Sequence, residues 1–62
     1  MKTYEIIIYD FNANDEVVEY DRIMVRTEDA GEMMMLAEDK CQEIMQKHDL
    51  DDIYWNYAIK EE

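Results

Sequence analysis

The sequence contains no proline, one glycine and one cysteine. Nothing in it therefore marks an interdomain linker, and we expect one cooperative domain over residues 1–62. A single cysteine excludes an intrachain disulfide and fits a reducing compartment, which predicts a cytoplasmic protein. The apolar run Ile6–Ile8 is too short for a signal-peptide core or a membrane-spanning helix, so we expect neither export nor membrane binding.

Basic residues are also scarce. Six Lys and Arg stand against 17 Asp and Glu, a net charge of −11 at pH 7. Such a charge disfavours direct contact with nucleic acid or anionic membrane and favours a basic partner. A hydrophobic content of 48%, with five tyrosines and one tryptophan, argues against disorder. In a chain this short, however, only one thin core can form.

Residue periodicity indicates three strands and one helix in the order β-β-α-β. We predict strands from Thr3 to Tyr9, Glu16 to Arg26 and Ile53 to Lys60, and a helix from Glu28 to Lys47. Thr27 is the expected N-cap of that helix. The Asn- and Asp-rich segment from Asp10 to Asp15 is typical of a hairpin loop.

In the second strand the apolar residues change from even to odd positions along its length. Its apolar positions shift from Val18 and Tyr20 to Ile23 and Val25. A β-bulge near Asp21 would keep one face apolar throughout. The alternative is a strand half-buried on both sides, and the pattern favours neither.

The first strand is apolar on both faces, which places it at the centre of the sheet. The predicted fold is α+β: one three-stranded, mainly antiparallel sheet of order 2-1-3 with the helix packed on one face. The helix residues expected to face the sheet are Ala30, Met33, Met34, Ala37, Cys41, Ile44, Met45 and His48. The other sheet face then carries uncovered aromatic side chains, from which we predict a homodimer formed through sheet faces or edge strands. A monomer with a solvated aromatic face is the alternative.

A search for catalytic groups yields only Cys41 and His48. These two residues lie about 10 Å apart along the helix, too far for a hydrogen bond, and Cys41 falls in the apolar stripe. The small tautomerases that use an N-terminal proline as base are excluded because the chain has no proline. We therefore predict a protein that is not an enzyme and that needs no cofactor.

The first loop offers weak metal-ligand candidates. Asp10, Asn12 and Asn14 alternate like the first ligands of an EF-hand, but Asp15 replaces the turn glycine and Asp21 stands at the twelfth position. We predict no metal site there. A solvated turn is the expected role of the later aspartate cluster, Asp49, Asp51 and Asp52.

The outer surface of the helix carries a row of acids. The residues predicted to bind a partner are Glu28, Glu32, Asp39 and Glu43, together with the outward-facing Met35 and Leu36. Glu28/Glu32 and Asp39/Glu43 are repulsive i,i+4 pairs, a cost that recognition of a basic protein would explain. The resulting hypothesis is a nucleic-acid-mimicking inhibitor, similar in size and charge alone to small acidic proteins of phages and mobile elements. In the alternative hypothesis, a self-associating accessory domain uses its aromatic sheet face, and the charge serves only solubility.

Overall fold

The computed structural model describes residues 1–60 and shows a small α+β fold. Its elements are β1 (Lys2–Phe11), β2 (Val17–Thr27), α1 (Ala30–His48) and β3 (Tyr54–Lys60). The sheet has the order β2-β1-β3 and is antiparallel throughout, with α1 on one face. The predicted fold class and strand order are confirmed. Fraying of Glu61 and Glu62, which their charge and terminal position predict, lies outside the described residues.

The β1–β2 loop is shorter than predicted because β1 continues to Phe11. The amide of Asn12 donates to the carbonyl of Glu16 at 3.0 Å, and the amide of Asp15 donates to the carbonyl of Asn12 at 3.0 Å. Asp15 has a φ of 59°, in the left-handed region. This is the arrangement of a three-residue hairpin loop, in which a type I turn is followed by a left-handed residue.

The second strand contains the β-bulge that was one of the two predicted alternatives. Ile8 lies opposite Asp21 whereas Tyr9 lies opposite Glu19, so Tyr20 is an extra residue in β2. The bulge restores the parity of the strand, and Ile23 and Val25 then share the helix-facing side of the sheet with Tyr20.

Two contacts at the bulge show where the helix lies over β2. The ring of Tyr20 packs 5.1 Å from that of His48 in the last turn of α1. Oδ2 of Asp21 lies 3.4 Å from Nζ of Lys40, a residue near the middle of the helix. The helix therefore runs back along β2, with its C-terminal end beside the bulge.

The helix begins two residues later than predicted. Oδ1 of Asp29 accepts from the amide of Gly31 at 2.8 Å, which makes Asp29 the N-cap. Thr27 is instead the last residue of β2, paired with Lys2, and its buried hydroxyl accepts from the amide of Asp29 at 3.1 Å. The prediction of Thr27 as N-cap and of Glu28 as the first helical residue was wrong because the Thr27 hydroxyl accepts from the amide of Asp29, which precedes the helix, while the Asp29 carboxylate caps the first helical turn.

The core lies between α1 and the central strand. Its seven buried side chains are Tyr4, Ile6, Ile8, Met33, Ala37, Cys41 and Ile44. Met45 is half-buried, and the predicted helix stripe is correct in its middle. Ala30 and His48 are exposed because they lie at the ends of the helix, and Met34 is 47% exposed on its flank.

Coverage of the sheet by the helix is uneven. On β3 the side chains of Trp55, Tyr57 and Ile59 lie opposite the buried residues of β1. Trp55 is half-buried, but Tyr57 and Ile59 are each 47% exposed. A single helix is too narrow to shield all three strands, and β3 remains the less protected edge.

Candidate interaction surfaces

The predicted partner-binding residues form an exposed surface on the outer side of the helix, here called the acidic helix surface: Glu28, Glu32, Met35, Leu36, Asp39 and Glu43. Three of its carboxylates project from α1 itself and cover about 16 Å of its length at 1.5 Å per residue. Glu28 precedes the helix, and its Oε1 lies 3.9 Å from the N-terminal ammonium group. The regular part of the row is therefore shorter than predicted.

Two apolar side chains flank this acidic row. Met35 is 67% exposed and Leu36 is 40% exposed. Leu36 follows Glu32 by one turn and Met35 precedes Asp39 by one turn, but these two apolar residues are consecutive and so point about 100° apart around the helix. The surface thus has a central row of carboxylates with one apolar side chain on each side of it.

The negative charge of the helix side is nearly uncompensated. Between positions 28 and 52 nine acidic residues stand against Lys40 and Lys47, a net charge of −7. Nζ of Lys40 is shared between Asp21 at 3.4 Å and Glu43 at 3.6 Å. Glu43 thus forms an i,i+3 ion pair with Lys40. Exposed pairs of this kind contribute little to stability.

The sheet face opposite the helix, here called the open sheet face, has no covering element within residues 1–60. Its residues alternate with those of the core along each strand. They are Thr3, Glu5, Ile7, Tyr9 and Phe11 on β1, Val17, Glu19, Arg22, Met24 and Arg26 on β2, and Tyr54, Asn56, Ala58 and Lys60 on β3. Apolar side chains are concentrated towards the hairpin loop, and charged ones towards the other end.

The half nearer the hairpin loop contains three aromatic rings in mutual contact. Tyr9 stacks on Tyr54 at 5.9 Å, and Phe11 meets each of the two edge-on at 5.7 Å. Beside them is a shallow depression of about 300 Å³. It is lined by Ile7, Tyr9, Phe11, Val17 and Asn56.

The other half is organised by one carboxylate. Oε1 of Glu5 lies 3.6 Å from Nη1 of Arg22 and 3.8 Å from Nζ of Lys60. Arg22 also donates through Nη2 to Oε1 of Glu19 at 2.6 Å, and this bond, with the charges of Glu19 and Glu5, raises the pKa of Arg22. With Arg26, the open sheet face carries three cations against two carboxylates, a net charge of +1.

The two residues considered for nucleophilic catalysis lie in different environments. Cys41 is buried in the core, and burial together with the charge of Glu38 raises the pKa of its thiol. His48 is exposed and packs on Tyr20. A buried thiol with a raised pKa is a poor nucleophile.

The metal candidates of the first loop serve the backbone. Oδ1 of Asn12 accepts from the amides of Asn14 and Glu16 at 2.8 and 3.0 Å, and Oδ1 of Asp10 accepts from the amide of Phe11 at 2.8 Å. Among residues 1–60 no group of three or more His, Cys, Asp or Glu side chains is arranged to hold a metal ion. None of the described helices has the length and apolarity needed to cross a membrane.

The aromatic half of the open sheet face extends further than the sequence predicts. The Asn and Asp residues around Phe11 are typical of turns and indicate a loop, whereas β1 continues through Phe11. The signal was the apolar parity of Ile7, Tyr9 and Phe11, which continues the alternation of β1.

Comparison of the chain with models of protein families, with curated proteins and with solved structures gave no match.

Proposed function

We propose that this chain is a non-enzymatic cytoplasmic protein that binds a basic partner through the acidic helix surface. The observation that carries the proposal is the row of exposed carboxylates on α1, Glu32, Asp39 and Glu43, in a segment whose net charge between positions 28 and 52 is −7. The partner chemistry that fits is a positively charged groove of the kind that binds DNA or RNA, so the chain would act as a nucleic-acid mimic.

The arrangement combines charge with apolar area. The central carboxylates supply complementarity to a basic surface, and Leu36 and Met35 supply apolar contact area on either side of them. Because the carboxylates project from one helix, little backbone order has to be gained on binding. Charge of one sign also accelerates the encounter with an oppositely charged partner.

The environment of Cys41 supports the non-enzymatic part of the proposal. The only thiol is buried and its pKa is raised. The depression on the open sheet face is lined mainly by apolar side chains, and its lining includes no His, Cys, Asp, Glu or Lys.

A charge-matched pair of variants tests the proposal. Fluorescence anisotropy would measure binding to a labelled arginine-rich peptide over a range of salt concentrations. The triple variant Glu32→Gln, Asp39→Asn, Glu43→Gln removes three charges from the acidic helix surface. Its control, Asp15→Asn, Glu16→Gln, Asp51→Asn, removes three from exposed loops.

We expect the helix variant to weaken binding by about tenfold or more and to flatten the salt dependence, since it removes the contacting charges. The loop variant should weaken binding by less than about threefold, because only the long-range field changes. Equal loss in the two variants would show that the peptide senses net charge alone and would refute the proposal.

A further inference from the structure

We propose that the open sheet face binds a second copy of this chain, so that two sheets pack face to face with the helices outside. This proposal concerns a different surface from the acidic helix surface and does not depend on it. It is supported by the exposed apolar side chains and the near-neutral charge of the open sheet face, and the area of the face limits the expected affinity.

The monomer leaves unusually much apolar surface on this face for so small a core. Only seven apolar side chains are buried, whereas Phe11, Val17 and Tyr54 are 47%, 63% and 45% exposed on one continuous patch. Domains of this size commonly gain the stability they lack by association. Two stacked sheets would turn the aromatic half into a second core layer.

The distribution of charge identifies a second copy as the occupant. Two molecules of net charge −11 repel each other, most strongly through the −7 segment on the helix side. The open sheet face is close to neutral, at +1, and carries both signs. A two-fold interface brings the same surface of both copies together. A face that carries both a cation and a carboxylate, such as Arg22 and Glu19, can therefore complement itself.

The area of the face indicates a weak dimer. With ten residues in β1 and three strands, the face measures roughly 33 by 14 Å at about 3.3 Å per residue and 4.8 Å between strands. This flat footprint of roughly 460 Å² is smaller than the about 800 Å² per partner that interfaces of standard size bury. The dimer should therefore be weak, and its formation should depend on concentration.

The dimer would have a functional consequence. Because the helix lies on the face opposite the open sheet face, two copies would present their acidic helix surfaces in opposite directions. A particle with two such surfaces binds multivalent basic targets more tightly than one copy does.

Two substitutions on the same strand test the interface. Tyr54 and Ile59 are 45% and 47% exposed, but Tyr54 lies on the open sheet face and Ile59 on the helix-facing side of β3. Tyr54→Lys and Ile59→Lys change the net charge equally. Sedimentation equilibrium over a concentration series would give the dimer dissociation constant of each variant, and circular dichroism would verify folding.

We expect Tyr54→Lys to raise the dissociation constant by about tenfold or more, because it removes a ring that contacts Tyr9 and Phe11 and places a charge among apolar side chains, and Ile59→Lys to change it by less than about threefold. If Tyr54→Lys does not fold, Val17→Lys replaces it, since Val17 is more exposed on the same face. A wild-type chain that stays monomeric into the submillimolar range would overturn the proposal. The proposal would also be overturned if Ile59→Lys weakened the dimer as much as Tyr54→Lys does, or if Ile59→Lys alone weakened it. The contact would then involve the β3 edge or the helix-facing side of the sheet.

Discussion

Cys41 shows how its surroundings determine the chemistry of a residue. Its position in the apolar stripe predicts burial, and it is indeed part of the core. Burial disfavours the thiolate, and the carboxylate of Glu38 disfavours it further, so the pKa of the thiol is raised on folding. The neutral thiol is therefore the form that the folded state prefers.

This preference predicts how Cys41 affects stability as pH changes. Its stabilising contribution is fully present below the unfolded-state pKa of about 8.5 and is lost as pH rises towards the higher folded-state pKa. The difference in free energy of unfolding between the wild type and Cys41→Ala should therefore shrink from about pH 8 to pH 10. Urea titrations of both proteins measure it, and the subtraction cancels tyrosine and lysine titration. A difference that stays constant would contradict the raised pKa.

At the scale of the elements, two aspartates take backbone conformations that normally favour glycine. Asp15 has a φ of 59° in the hairpin loop, and Asp49 has a φ of 54° at the C-cap of α1. Aspartate tolerates the left-handed region better than most residues, but glycine does so at lower cost. At Asp49 the carboxylate also lies at the negative end of the helix dipole.

Replacing the C-cap should stabilise the protein. We expect Asp49→Gly to increase the free energy of unfolding by about 1 kcal/mol, through relief of backbone strain and of the unfavourable charge. Asp49→Asn removes the charge but keeps the side chain, and should yield only part of the gain. Chemical denaturation of the three proteins measures the effect. A loss of stability in Asp49→Gly would mean that the carboxylate, and not the backbone, holds the helix end.

The helix and strands were predictable where apolar residues recur at the period of one face of the element. Alternation located all three strands, and the 3.6-residue period placed Met33, Ala37, Cys41 and Ile44 in the core. The element ends were not predictable, because competing partners decide them. Thr27 can cap a helix or extend a strand, and pairing with β1 selected the strand. Local sequence also allowed two forms of β2, and register with β1 selected the bulge.

At the scale of the whole molecule, charge is divided between two surfaces. The helix side is strongly negative, whereas the open sheet face combines both signs around Glu5. Most of the acidic side chains within residues 1–60 are exposed, and their mutual repulsion should oppose the compact state. At 0.1 M salt, repulsion between exposed charges is largely screened beyond about 10 Å.

Sodium chloride should therefore raise the melting temperature. At a protein concentration that keeps the chain monomeric, we expect an increase of several degrees between about 0.01 M and 0.5 M salt. The variant Glu32→Gln, Asp39→Asn, Glu43→Gln should melt higher than the wild type at low salt and respond less to added salt. Differential scanning calorimetry measures both. A melting temperature that falls with salt would mean that the ion pairs around Glu5 outweigh the repulsion.

The sequence alone determined the class of fold, the strand order, the middle of the core and the predominance of negative charge. Each of these follows from local periodicity or from composition, which need no knowledge of distant contacts. Only the tertiary structure decided that Tyr9, Phe11 and Tyr54 contact one another on one face of the sheet. It also decided that Glu5 lies near both Arg22 and Lys60, so that this face is nearly neutral while the helix side is negative. Strand register brings these residues together from three separate segments, and register depends on pairing between strands that no single segment encodes.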